Sequence, residues 1–550
     1  MPPLAALRVL VVDCQATLAG ARGHLLELGW GIAGPDPSAR APLAPSARLV
    51  RLPDGESVPR GVTRITGITD DLLAAGVRAE DAWRELVRDA LTLSPQPAPA
   101  VAHFARFERP FLAKLAGGAL PLDLVCTHEI ALRLFPELPR RSLRALAGYF
   151  GRSVGVLRRT AEHVSATAFV WHHLAQLLDA RGVQSWADLR AWLAQPVVRP
   201  RRAKRVWPMP RELRLGLPDR PGIYRMLRTS GDVLYVGKAA SLRKRVNSHF
   251  RKQKGIDERS LEMLSQARGL SYEIAESPLE AALLEPDEIK RHRPPYNKAL
   301  LETGRAAWFV STDLSSKSAH AESGYTVGPF GSNVLLDRLS ALTSGAATAI
   351  APAPWAPSAA VFEQGLALLR AAHPELAAGV HRRPLVVLGG RLWREGRRLK
   401  EEDDSAAAKE DAGPLFARAW TPAQVATEAE ALALRYAHAI RRGRWLTALV
   451  ESTVMFCEPP DDGARLLVIR DGEIVQRERA TLDAAPPPPD GFRRSRAERH
   501  ASFTIARFDR LRVLTTELKR LVATGYPVCV RLAPRATLSG DRLAGILGSL

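Results

Sequence analysis

The chain has 550 residues, 46% of them hydrophobic and 25% charged, which excludes a disordered chain and, by length, a single core; roughly three or four domains are expected. Its 78 Lys+Arg against 58 Asp+Glu leave a formal charge of +20. That excess suits a polyanionic partner, because clustered cations gain from counterion release at phosphates, although a generally arginine-rich composition would produce the same balance.

Residues 7–12 are a compact apolar run ending at Asp13, the pattern of a buried strand with a carboxylate at its tip. Residues 25–32 read as a second strand and 48–52 as a third. Residues 100–108 come next, then a helical segment through Phe111 to Leu115, then 124–127 and 142–147. Strands alternating with helices predict an α/β domain over residues 1–195. In this order the pieces resemble the DEDD-type 3′–5′ exonucleases, such as the proofreading subunit of bacterial DNA polymerase III, over about residues 7–180. Thr66-Gly67-Ile68-Thr69-Asp70 and Ala102-His103-x-Ala105-x-Phe107 carry the likeness. The ligand positions depart from the family. Gln15 stands two residues after Asp13 where the resemblance implies Glu, and Glu108 stands for an aspartate. Arg158 aligns with the general-base histidine and His163 with the last aspartate, a one-residue slip placing Glu162 there instead. Two-metal hydrolysis needs several carboxylates around two cations, so the resemblance implies a retained exonuclease fold with a degenerate site.

Residues 196–212 read as a basic linker. The run through Arg201 and Arg202 is interrupted by proline, so it forms no continuous helix and could touch phosphates. From residue 213 a second module begins. Residues 223–227 and 233–236 are β-rich runs joined by Thr229-Ser230-Gly231-Asp232, a hairpin turn. Period two puts Tyr224 with Met226 and Val233 with Tyr235, so the hairpin can bring both phenols to one surface. Ser241 is a candidate N-cap for a helix with an apolar stripe of Leu242, Val246, His249 and Phe250. Arg243, Lys244, Arg251 and Lys252 project elsewhere and are candidate DNA contacts; Arg245 lies at the stripe's margin. Ser277-Pro278-Leu279-Glu280 reads as a capping box with proline at N1, starting a helix that carries Glu285 two turns on.

Gly222-Ile223-Tyr224, Tyr235-Val236-Gly237-Lys238, Arg245, Leu283-Leu284-Glu285 and Pro295-Tyr296-Asn297, in this order, resemble the GIY-YIG nuclease domain of the UvrC/Cho excinuclease branch over about residues 215–300, within a domain expected at 213–302. The resemblance implies Tyr235 as general base with Tyr224 beside it and Lys238 favouring the phenolate. It implies Arg245 on the scissile phosphate, Glu285 ligating one Mg²⁺ or Mn²⁺, and Asn297 holding the site together. His249 stands where this branch commonly carries another tyrosine. Pro286, directly after Glu285, would remove a hydrogen bond inside the helix, so either a kink there or a displaced carboxylate is expected.

Residues 303–400 resemble, weakly, the segment after the nuclease domain in UvrC-like proteins, through Trp308-Phe309-Val310 and Gly328-Pro329-Phe330. Residues 401–415 read as an acidic loop, and 416–550 as an α+β region of unassigned function. That region holds a long helix through Val425, Leu432, Tyr436 and Ile440, a hairpin on Asp471-Gly472 and a polyproline break at 486–489. The four cysteines form no Cys-x-x-Cys pair, so no zinc knuckle or disulfide framework is read. No run approaches the about 20 apolar residues of a membrane span, and no signal peptide is read, so a cytoplasmic protein is expected. The fold class is therefore α/β: a ribonuclease H-like exonuclease fold, a small GIY-YIG domain and a mixed α+β C-terminal region. The expected function is a metal-dependent DNA endonuclease of nucleotide excision repair and the SOS response, with DNA as substrate and a UvrB-like helicase or other repair protein as candidate partner. The alternatives are a 3′–5′ exonuclease acting through the N-terminal domain and a non-catalytic DNA-binding scaffold.

Overall fold

The computed structural model describes residues 3–20, 22–34, 44–196, 206–251, 257–297, 306–311, 316–319, 324–351, 356–397, 420–459, 463–481, 486–488, 496–501, 503–533 and 536–550. Arg201, Arg202, Lys252, residue 489 and the acidic run at 401–415 lie outside them.

The alternating apolar runs of the first region become strands β1 (Val9–Ala16), β2 (Leu25–Ala33), β3 (Ser46–Leu49), β4 (Ala98–Ala102) and β5 (Leu122–Cys126). Their order is β3-β2-β1-β4-β5, with β1–β3 an antiparallel meander and β1, β4 and β5 parallel. This is the ribonuclease H-like arrangement. Both faces are covered, which is why β1 reads as continuously apolar. Val9 and Val11 pack under helix α3 (Thr160–Asp179), whereas Leu10 and Val12 join Trp83, Phe111 and Leu112 on the opposite face. Two boundaries differ from expectation. Strand β1 runs past Asp13, so Asp13 and Gln15 lie within it and not at a tip. Residues 103–108 leave β4 for helix α1 (Ala105–Ala116), which puts Glu108 in its first turn.

The second region forms a three-stranded antiparallel sheet of β6 (Gly222–Leu227), β7 (Val233–Ala239) and β8 (Gly269–Ile274), in the order β7-β6-β8. Helices α4 (Leu242–His249) and α6 (Pro278–His292) pack on this sheet. Ser241 and Ser277 cap them as expected. The Ser277 box is only half made, because the Glu280 carboxylate pairs with Arg465 instead of returning to the Ser277 backbone. Helix α5 (Glu258–Gln266) joins this module to α2 (Leu143–Tyr149) of the first: the Ser142 hydroxyl donates to Glu262 at 2.7 Å, and Arg144 lies 3.1 Å from the same carboxylate.

Beyond residue 300 come β9 (Trp308–Val310), β10 (Lys317–Ser318), β11 (Val327–Phe330) and a helical body threaded by α7 (Pro422–Leu449). Val425, Leu432, Tyr436 and Ile440 are all buried, as the amphipathic pattern requires. A last, antiparallel sheet has the order β14-β13-β12-β15-β16, from β12 (Ser452–Cys457), β13 (Ala464–Arg470), β14 (Glu473–Ala480), β15 (Val528–Ala533) and β16 (Ala536–Ser539). The β13–β14 turn is on Asp471 and Gly472, both at positive φ (53° and 71°), as a tight hairpin needs. Helix α8 (Ile505–Ala523) covers this sheet and packs along α6. Leu279 and Leu283 of α6 belong to the same buried cluster as Phe456, Leu511 and Leu518. Helix α6 is therefore shared between the nuclease-like module and the C-terminal body.

Candidate active site

Strand β7 is the edge of its sheet, so its outward backbone groups need partners from elsewhere. They find them in the motif residues. The Asn297 carboxamide spans Val236, donating to its carbonyl at 2.8 Å and accepting from its N–H at 2.9 Å. The backbone N–H of Tyr296 donates to the Leu234 carbonyl at 3.2 Å. Two residues past Val236, the outward N–H of Lys238 donates to Glu285 Oε1 at 3.2 Å. The late carboxylate and the late amide are thus tied to the strand that carries the second tyrosine. Helix α6 runs unbroken through Pro286, and Glu285 reaches β7 from it. The carboxylate is therefore not carried away from the strand; Pro286 is buried, and α6 is held along both sides by packing.

The register sets Tyr224 opposite Gly237 and Tyr235 opposite Met226, so both phenols share a face, with ring centroids 6.0 Å apart. Gly237 leaves the space for this. A Cβ there would lie 2.6 Å from the Tyr224 hydroxyl oxygen and 2.8 Å from Tyr235 Cε1. Tyr224 is fully buried, and its hydroxyl is 2.7 Å from His249 Nε2. Burial and the adjacent Arg245 push His249 down to about 4, so near neutral pH the ring is uncharged and shares a hydrogen bond with the Tyr224 hydroxyl through Nε2. Burial raises both phenols above their usual range; for Tyr224 the neighbouring Tyr235 adds to this, and for Tyr235 the Glu285 charge does. Arg245 works in the other direction on both. Burial also raises Glu285, offset by the Lys238 charge and backbone N–H.

The cation beside the phenols is accordingly Arg245. Lys238 lies three residues from Tyr235 on a strand of period two, hence on the opposite face. Its ammonium is 2.6 Å from Glu517 of α8. Sequence reasoning missed Glu517, which carries no local motif. Of the expected DNA contacts, Arg243 is exposed but donates to the Leu217 carbonyl at 2.7 Å, Lys244 lies 3.5 Å from Asp219, and Arg251 is exposed.

In the first region, Asp13, Glu108 and His163 do converge. His163 Nδ1 is 3.3 Å from Asp13 Oδ1, and the Asp13 charge acts on Glu108. Burial, with Asp13 adding to it, pushes Glu108 up to about 9. Burial likewise raises Asp13 despite its hydrogen bond to His163. Gln15 faces Glu27 across the strands, and Glu27 is taken by Arg159 at 3.0 Å and by the Thr160 N–H at 2.9 Å. Arg158 is exposed. Glu162 is no hub residue either, since its carboxylate caps α3 through the N–H groups of Arg158 and Arg159. Among the described residues, no three His, Cys, Asp or Glu side chains are grouped to hold a metal ion.

A two-tyrosine hairpin, a basic helix and a carboxylate on a later helix define a GIY-YIG nuclease domain. Residues 220–298 match the UvrC-like GIY-YIG domain family, and the chain joins this domain to an exonuclease-like fold. Among known proteins, it is 32% identical over 268 residues to a Mycobacterium tuberculosis protein that bears the provisional name of a bifunctional exonuclease/endonuclease, covering 47% of this chain and 39% of that protein. It is 53% identical over 85 residues to the UvrABC system protein C of Legionella pneumophila, covering 15% of this chain and 13% of that protein. The chain thus spans less than half the length of these curated relatives. A crystal structure of the N-terminal GIY-YIG endonuclease domain of UvrC from Thermotoga maritima, bound to its catalytic magnesium, is 32% identical; the match covers 16% of this chain and 94% of that one, with a TM-score of 0.15. Among the described residues, no helix is long and apolar enough to cross a membrane.

Proposed function

We propose that the chain is a DNA endonuclease of the UvrC/Cho type that hydrolyses a phosphodiester in damaged or structured duplex DNA during excision repair. The observation that carries this reading is the single cluster of Tyr224, Tyr235, Arg245 and Glu285 around the edge strand β7. Tyr235, the half-buried phenol, is the candidate to take the proton of an attacking water, while Tyr224 is held by its hydrogen bond to His249. Arg245, exposed and hydrogen-bonded to both phenols, lowers their proton affinity and has an exposed guanidinium for a phosphate to meet.

The residues present fit one hard divalent ion, Mg²⁺ or Mn²⁺. Glu285 offers a half-buried carboxylate whose burial disfavours bare charge, and a hard ion would complete its shell there with water and phosphate oxygens. When bound, such an ion would offset the Glu285 charge on Tyr235 and stabilise the charge developing on the leaving 3′-oxygen. Asn297 would keep β7 in place during that cycle through its two bonds to Val236.

The first region fits binding better than hydrolysis, because His163 and Arg159 occupy the carboxylates Asp13 and Glu27. We assign it, over residues 1–195, to holding DNA or a repair partner next to the nuclease module at 213–302. Purified protein with supercoiled or lesion-bearing DNA and Mg²⁺ tests the reading. Metal-dependent nicking by the parent is expected. A 3′-end digestion that requires Asp13 but not Glu285 would overturn it.

A further inference from the structure

The structure points to a residue of the nuclease site that lies more than 200 positions beyond it in the chain. We propose that Glu517, on α8 of the C-terminal body, is a positioning residue that holds the Lys238 ammonium off Glu285 and so keeps that carboxylate available to a divalent cation. The inference rests on the nuclease reading above and adds to it a role for the C-terminal region.

Lys238 stands between the two carboxylates. Its backbone N–H already touches Glu285 Oε1 at 3.2 Å, so its side chain starts beside the one carboxylate of the site. A lysine has a long flexible stem and a compact charge, and an unpaired ammonium there would compete with a divalent ion for the same oxygens. In the structure the ammonium is drawn to Glu517 Oε1, 2.6 Å away. That carboxylate is itself fixed. Glu517 is 5% exposed, and its other oxygen accepts from Arg520 Nε at 2.6 Å. Arg520 also pairs with buried Glu458, which accepts from the backbone N–H of Leu279 in the first turn of α6 at 3.2 Å. The network therefore closes on the helix that carries Glu285.

This contact belongs to a permanent interface and not to a loosely docked lid. The buried pair Arg465–Glu280 at 2.8 Å, the Lys290–Asp509 pair at 3.0 Å and the Arg510–Asp287 pair at 3.0 Å all join α6 to the C-terminal body. Leu279 and Leu283 are buried within that body's core. Glu517 thus comes to the site as part of the fold, and its negative charge adds to the potential that a cation meets at Glu285.

Calorimetric titration of the full chain with Mn²⁺ alone, without DNA, tests this. Glu517→Gln keeps the shape and removes the charge. It should raise the Mn²⁺ Kd about tenfold, the lower end of what supporting residues of metal sites contribute. Adding Lys238→Gln to that variant should return the Kd towards the parent value, because the competing ammonium is gone. Lys238→Gln alone, at a side chain that is 40% exposed, should bind Mn²⁺ at least as tightly as the parent; this keeps the test open if Glu517→Gln fails to fold. A parental Kd in Glu517→Gln, no recovery in the double variant, or weaker binding by Lys238→Gln would each overturn the inference. Mn²⁺ binding that ignores Glu285→Gln would instead overturn the nuclease reading itself, and this inference with it.

Discussion

Gly237→Ala distinguishes a packed phenol pair from an incidental one. Gly237 is not among the glycines at positive φ, so alanine is allowed by the backbone, and a Gly→Ala change at such a position ordinarily stabilises by about 0.4–1 kcal/mol. The added Cβ, however, would sit 2.6 Å from the Tyr224 hydroxyl oxygen, 2.7 Å from its Cζ and 2.8 Å from Tyr235 Cε1. Comfortable contacts begin near ~3.5 Å, so one or both rings must move by roughly 1 Å. Tyr224 has little room to do so, being fully buried and tied to His249. The expected cost is about 1–3 kcal/mol of stability, opposite in sign to the backbone effect. Misplacing a catalytic phenol by that distance should slow nicking about 100-fold. Urea melts followed by far-UV circular dichroism, with nicking rates at saturating Mg²⁺, give both numbers. An alanine variant more stable than the parent and equally fast would refute the packing argument.

The buried carboxyl Glu108 predicts a pH dependence. Unfolded, it loses its proton near 4.5, whereas in the fold it keeps it to about 9. The folded state therefore binds the extra proton across that window, and stability falls as pH rises through it. Glu108→Gln removes this slope and should gain about 2–4 kcal/mol on the parent between pH 5 and pH 8; parallel stability curves would contradict it. Asn297→Ala leaves both Val236 backbone groups without their side-chain partner. It should cost about 1–3 kcal/mol and speed hydrogen exchange at the Val236 amide, and unchanged exchange there would show that the edge strand needs no such support.

Much of this was legible locally. The β6–β7 hairpin, the caps at Ser241 and Ser277 and the shared face of Tyr224 and Tyr235 follow from period-two alternation and short-range hydrogen bonding, which a sequence displays directly. So does the Asp471-Gly472 turn, where positive φ suits those residue types. The misreadings came from tertiary partners. Pro286 pointed to a kink or a displaced carboxylate because its cost is local, while the packing that holds α6 and brings Glu285 to β7 comes from β7 on one side and α8 on the other. Glu280 looked like half of a capping box until Arg465, 185 residues away, claimed it. Lys238 looked like the cation for Tyr235, yet strand alternation turns it to the other face, towards Glu517. Long-range ion pairs of this kind leave no periodic trace in the chain.

The most direct test of the account is a nicking assay on supercoiled plasmid with Mg²⁺ or Mn²⁺, comparing the parent with Glu285→Ala and checking both for equal folding by circular dichroism. The parent should nick, chelating the metal should stop it, and Glu285→Ala should not nick at any metal concentration. Undiminished cutting by the folded Glu285→Ala variant would contradict it.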